Sequence, residues 1–120
     1  MKTILLVEDE RDLRLIIRTT LEDPRYRILE ANDGHEALEI LGQEEVDIVV
    51  LDWMLPGLSG IDVARNLRGQ DRTRELPIVM VTARSQPRDR EQGEALGISA
   101  YLVKPFSPLE LLSVVEEALR

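Results

Sequence analysis

Short apolar runs alternate with amphipathic stretches five times along the chain. Ile4, Leu5, Leu6 and Val7 form a continuous apolar run, and Leu13, Ile16, Ile17 and Leu21 then recur at helical spacing over 11–22. The run predicts a strand buried on both faces, and the spacing predicts a helix with one apolar face. Asp23-Pro24 ends that helix, because a residue before proline is biased away from helical backbone. Residues 26–31 form a second strand, interrupted by Arg27 and Glu30 as befits a sheet edge. Asn32-Asp33-Gly34 supplies a turn or cap, and a second helix covers 35–41, with Gly42 near its end.

The third strand, 47–51, carries Ile48-Val49-Val50-Leu51 straight into Asp52, and Pro56, Gly57 and Gly60 then lead into a helix marked by Ile61, Val63, Ala64 and Leu67. Pro77 introduces a fourth strand over 78–81. Residues 88–96 predict only a weak helix, with Gly93 inside it, few apolar positions, and Gly97 as C-terminal cap. A short fifth strand spans 101–103. Ser107-Pro108-Leu109-Glu110 has the form of a capping box, opening a helix with Leu111, Val114, Val115 and Ala118 on its inner side.

Five strand–helix units imply a parallel sheet with helices on both faces and right-handed crossovers. With the second strand at an edge, the expected fold is an α/β, flavodoxin-like (βα)5 three-layer sandwich of strand order 2-1-3-4-5. Its crevice opens at the carboxyl ends of strands 1 and 3. The 120 residues, free of repeats and linkers, are expected to form a single domain over 1–120.

Composition narrows the function. The net charge is −8, from 23 acidic and 15 basic residues, which disfavours direct nucleic-acid binding by phosphate neutralisation. Arg65, Arg68, Arg72, Arg74, Arg84, Arg88 and Arg90 read as solvated helix faces. No apolar run is long enough for a membrane span and the N-terminus lacks a signal-peptide pattern. Without cysteine there is no disulfide framework, and a cytoplasmic location is expected. His35, the only histidine, falls on a helix surface away from the strand ends and is assigned no role.

Each central strand ends on a functional group: Glu8-Asp9, Asp52, Thr82 and Lys104-Pro105. Carboxylates converging on one rim repel one another, and burying them unpaired is costly. A hard divalent cation such as magnesium suits those oxygen ligands. Lys104 offers a second positive charge that can reach an anion beside Asp52.

The segments LLVEDE, LDWMLPGLSG, MVTAR and YLVKPF, in this order and at strand ends, resemble the landmarks of receiver domains of bacterial two-component signalling. The resemblance spans essentially the whole chain. It implies a phosphorylation-activated switch in which Asp52 accepts a phosphoryl group from a sensor histidine kinase or histidine phosphotransfer protein. Glu8, Asp9, Asp52 and the backbone carbonyl of Met54 then correspond to the magnesium ligands, with manganese able to substitute. Thr82 and Lys104 correspond to the residues that bind phosphoryl oxygens, and Tyr101, with Thr82, to the switch. Lys104-Pro105 corresponds to a cis peptide bond, while Met54 and Arg84 occupy positions that tune hydrolysis. Such a domain catalyses its own modification and slow dephosphorylation and is not a metabolic enzyme; its readout is the face formed by helix 4, strand 5 and helix 5.

MLPG and SGI resemble receivers that drive winged-helix DNA-binding domains, which pair through charged residues of that face. Here Ala100 and Val114 stand at two of those charged positions and Ser99 at a third, so a monomer or weak dimer is expected instead. Three rivals remain. A degenerate receiver would act as a phosphorylation-independent binding module. A flavin carrier would need a phosphate-cradling loop where Glu8-Asp9-Glu10 stands. An aspartyl phosphatase would carry a second Asp at the place of Met54.

Overall fold

The computed structural model describes residues 1–120. Its elements are β1 (Lys2–Val7), α1 (Arg11–Leu21), β2 (Tyr26–Ala31), α2 (Gly34–Gln43), β3 (Ile48–Leu51), α3 (Gly60–Arg68), β4 (Ile78–Thr82), α4 (Pro87–Ala95), β5 (Ala100–Val103) and α5 (Pro108–Ala118). All strand pairs are parallel, in the order β2-β1-β3-β4-β5. This is the flavodoxin-like arrangement that the alternation predicts.

The period-2 alternation of the strands sorts their side chains into two cores. Leu5, Val7, Val49, Leu51, Ile78 and Met80 face α2 and α3, where Ala37, Leu41, Val63 and Leu67 meet them. Ile4, Leu6, Ile48, Val50, Val79 and Val81 face α1 and α5, meeting Ile17, Leu21, Leu111 and Val115. Burial on both faces explains why these strands read as unbroken apolar runs.

Side-chain caps start three helices. Asp33 accepts from the Glu36 N–H, Ser59 from the Asp62 N–H, and Ser107 from the Glu110 N–H. Gly97 takes a φ of +68° just beyond α4, the left-handed conformation that lets a helix end there.

Several expectations need adjusting. Ile16 does not lie on the inner face: it is 54% exposed, beside Leu15 at 61%. Consecutive helical residues point about 100° apart, and the sheet covers only the stripe through Leu13, Ile17 and Leu21. Asp47 precedes β3 instead of joining it, and its carboxylate accepts from the Thr3 N–H at 2.7 Å. Helix α4 begins one residue earlier than its pattern indicates, with Pro87 in its first turn.

Not all seven arginines are solvated decoration: Arg72 donates to the Leu41 and Glu44 carbonyls at 2.7 and 3.2 Å. Arg68 donates to the carbonyls of Leu96, Thr73, Leu76 and Gly97, tying the end of α3 to the loops before β4 and β5. Arg84 is discussed below. His35 is exposed, but its imidazole lies 3.8 Å from where a Gly57 Cβ would sit, so it borders the turn after β3.

Candidate functional site

Register brings the acids together. Val7 pairs with Leu51 across β1 and β3, so the residues that follow, Glu8 and Asp52, leave the sheet side by side. The Asp52 N–H donates to the Val7 carbonyl at 3.2 Å, and the Glu8 N–H to the Ala31 carbonyl at 3.2 Å. Across β4 and β5, Thr82 pairs with Val103, which places Lys104 at the same rim. The Lys104–Pro105 peptide bond is cis.

Carboxylate oxygens of Glu8, Asp9 and Asp52 all lie within 4.8 Å of one another. Glu8 is 1% exposed and Asp52 is buried, whereas Asp9 faces solvent. The Lys104 ammonium bridges the two buried acids, donating to Asp52 Oδ2 at 2.6 Å and Glu8 Oε1 at 3.2 Å. The other oxygens also have partners: the Met54 N–H donates to Asp52 Oδ1 at 2.9 Å, and the Glu10 N–H to Glu8 Oε2 at 3.0 Å.

Burial is the largest influence on Glu8. Together with the Asp52 charge it raises the carboxyl from 4.5 to about 7, against the Glu10 N–H and the Lys104 ammonium. Burial alone would lower Lys104, but its hydrogen bond to Asp52 and the charges of both acids outweigh that and move it up. One ammonium thus serves two carboxylates and leaves one of them reluctant to ionise. A group of hard oxygens short of positive charge is what a divalent ion requires, and the cluster could bind one.

The loop after β3 is shaped by close approach. A Cβ on Gly60 would fall 2.1 Å from the Asp52 carbonyl oxygen and 2.8 Å from the Trp53 Cα. The Gly60 and Leu55 N–H groups both donate to the Trp53 carbonyl, at 2.9 and 3.1 Å, and Gly57 has a φ of +71°. The chain folds tightly over Asp52 and leaves Met54 exposed at the mouth.

Thr82 is fully buried, and its hydroxyl accepts from the Arg84 N–H at 3.3 Å. The Tyr101 hydroxyl donates to the Arg84 carbonyl at 2.8 Å. The ring of Tyr101 meets Trp53 edge-on, with centroids 6.5 Å apart. Burial raises the Tyr101 phenol, with Asp89 adding to it.

Two contributors are absent from the sequence-derived set. Arg14 donates to the Glu8 carbonyl at 2.8 Å and to Glu30 at 3.1 Å, fixing the loop that carries Asp9. Asp89, 4% exposed, pairs with Arg84. Arg14 is flagged in the sequence only as a charge beside the apolar stripe of α1, and Asp89 by nothing, since α4 has no apolar face. A surface depression of about 500 Å³ beside Arg68, Pro77 and Leu96 lies at the opposite rim from the carboxylates.

Residues 4–116 match the family model for the response regulator receiver domain. The chain is 41% identical over 119 residues to the phosphate regulon transcriptional regulatory protein PhoB of Pseudomonas aeruginosa, covering 99% of this chain and 52% of that protein. It is 45% identical over 118 residues to the same-named protein of Rhizobium meliloti, covering 98% and 52%. The chain therefore spans about half the length of these curated relatives. Among solved structures, the chemotaxis protein CheY4 of Vibrio cholerae superposes with a TM-score of 0.91 at 32% identity, covering 99% of both chains. The Francisella response regulator 1452 receiver domain gives 0.91 at 30% identity, covering 99% of this chain and 97% of that one. With an acidic cluster at the carboxyl rim of a 2-1-3-4-5 sheet and a family match over nearly its whole length, this chain belongs to the response regulator receiver domains of two-component signalling.

Proposed function

We propose that the chain is a phosphorylation-activated switch whose acceptor is Asp52. The observation that carries this reading is the convergence of Glu8, Asp9 and Asp52 with Lys104 donating to two of them. An Asp52 carboxylate oxygen attacks the phosphorus of a phosphohistidine in line. The P–N bond breaks, its electron pair and a proton go to the imidazole, and an acyl phosphate remains on Asp52.

Phosphoryl transfer depends mainly on positioning and on neutralising charge spread over three equatorial oxygens. Lys104, already 2.6 Å from Asp52, supplies one positive contact, and the Thr82 hydroxyl and nearby N–H groups supply neutral ones. Glu8, Asp9, Asp52 and the Met54 carbonyl would hold a magnesium ion, with manganese as substitute. Bound there, the metal would offset the charge of the transferred group. Thr82 and Tyr101 would carry the change towards α4, β5 and α5.

The donor is a sensor histidine kinase or a histidine phosphotransfer protein, and such a partner implies a cytoplasmic location. No helix is long and apolar enough to cross a membrane. Intact mass after incubation with magnesium and acetyl phosphate tests the assignment. Wild type should gain one phosphoryl group and Asp52→Ala none. No gain in wild type would instead support a phosphorylation-independent binding module.

A further inference from the structure

Helix α4 is attached to the body unlike its neighbours. It buries only Asp89 and Gly93, whereas α3 buries five residues, among them Ile61, Val63 and Leu67. Gly93 allows a close approach, since a Cβ there would fall 2.6 Å from Ile98 Cδ1. Asp89, in the first turn, accepts from Arg84 Nη2 at 2.9 Å and Nε at 3.2 Å through a single oxygen. Its side chain is 6% exposed against 38% for Arg84. The Arg84 guanidinium lies 4.6 Å over the Trp53 ring, the residue next to Asp52. Arg90 lies 5.1 Å over the neighbouring Tyr101 ring.

An ion pair with one buried partner is poor evidence of net stabilisation, because desolvation of Asp89 offsets the attraction. Its value here is positional. Arg84 leaves a stretch in which Ala83, Ser85 and Gln86 are all exposed, and a free arginine there would keep its rotamer entropy by staying in water. Asp89 has little access to water and needs a partner. Because Asp89 is fixed in a helix, the pair holds the Arg84 guanidinium over the indole.

We propose that Asp89 is a positioning residue for the acceptor site, holding the Arg84 guanidinium across Trp53 as one wall of the phosphoryl pocket. This rests on the acceptor role of Asp52 proposed above. The wall limits the approach of water to the acyl phosphate, and the same pair fastens the first turn of α4 to the site. Loss of Asp89 then acts on the phosphoryl group only through Arg84.

The test uses the full chain with Asp89→Asn, Arg84→Met and the double variant, each checked for folding by far-UV circular dichroism. Should Arg84→Met not fold, Arg84→Lys replaces it, keeping the charge beside Asp89 without the planar group. Trp53 is the only tryptophan, so acrylamide quenching reads its cover directly. Quenching should rise about twofold in Asp89→Asn, as the stacked guanidinium leaves the ring. Phosphoryl lifetime, followed by intact mass after acetyl phosphate and magnesium, should shorten severalfold. Arg84→Met should match both effects, and the double variant should add nothing. Quenching unchanged in Asp89→Asn, or effects of the two substitutions that multiply in the double variant, would overturn the proposal. If even wild type takes up no phosphoryl group, the acceptor role of Asp52 fails, while the quenching comparison still decides whether Asp89 positions Arg84.

Discussion

Replacing Glu8 with Gln isolates the electrostatic tension in the site. Burial first, and then the Asp52 charge, raise the Glu8 carboxyl from 4.5 to about 7. A carboxyl whose folded value is the higher one binds its proton more tightly in the native state. Its contribution to stability is therefore complete below about pH 4.5 and is lost as pH rises through about 7. Beyond that, the native chain holds a buried carboxylate at a cost of about 3 kcal/mol, at 1.36 kcal/mol per pH unit. Glutamine keeps the shape and never ionises. In a chelating buffer, Glu8→Gln should gain on wild type by about 2 kcal/mol between pH 5.5 and 8.5, the part of the titration inside that window. Urea unfolding followed by circular dichroism at both pH values measures the gap. Millimolar magnesium should narrow it at pH 8.5, because a ligand stabilises the state it binds and the variant has lost one charge for it. A gap of equal size at both pH values would refute the reasoning.

Gly60→Ala places a methyl 2.1 Å from the Asp52 carbonyl oxygen and should destabilise by about 3 kcal/mol or more, seen as a lower urea midpoint. Arg68→Ala removes donors from four backbone carbonyls. A loss of about 2 kcal/mol is expected, with faster hydrogen exchange in the loops before β4 and β5 and unchanged phosphoryl uptake. Lys104→Met leaves Asp52 and Glu8 without their shared ammonium. Phosphoryl uptake from acetyl phosphate should fall by at least an order of magnitude, read as the rate of mass gain.

Much of this molecule could be read before its structure, for identifiable reasons. Strands covered on both faces must be apolar throughout, so Ile4 to Val7 and Ile48 to Leu51 announce themselves. A residue just past such a strand has a defined place, and register alone sets Glu8 beside Asp52 and Thr82 beside Val103. What escaped depends on long or ambiguous side chains. Ile16 and Ile17 are equally apolar, and only the width of the covering sheet decides that Ile17 is buried and Ile16 is not. Arginines reach far in many directions, so the carbonyls around Arg68 and the partner of Arg84 are set by loops distant in sequence. Asp89 gives no signal in the sequence because α4 has no apolar face from which to recognise its inner side. Asp47 reads as the start of a strand because it adjoins the apolar run; its N–H does bond the Thr3 carbonyl at 2.8 Å, but its own carboxylate takes the Thr3 N–H.

The position of Lys104 has a consequence for which ions the site can notice. With its ammonium across Asp52 and Glu8, the resting rim already holds one univalent cation, covalently tethered and hydrogen-bonded to both acids. Potassium or sodium would bring the same charge with poorer hydrogen-bonding geometry and gain nothing by entering. Only an ion carrying two charges offers the carboxylates something the lysine does not. Discrimination between abundant monovalent salt and a scarcer divalent ion thus needs no sizing of the cavity. It follows from a side chain that occupies the lower rung in advance.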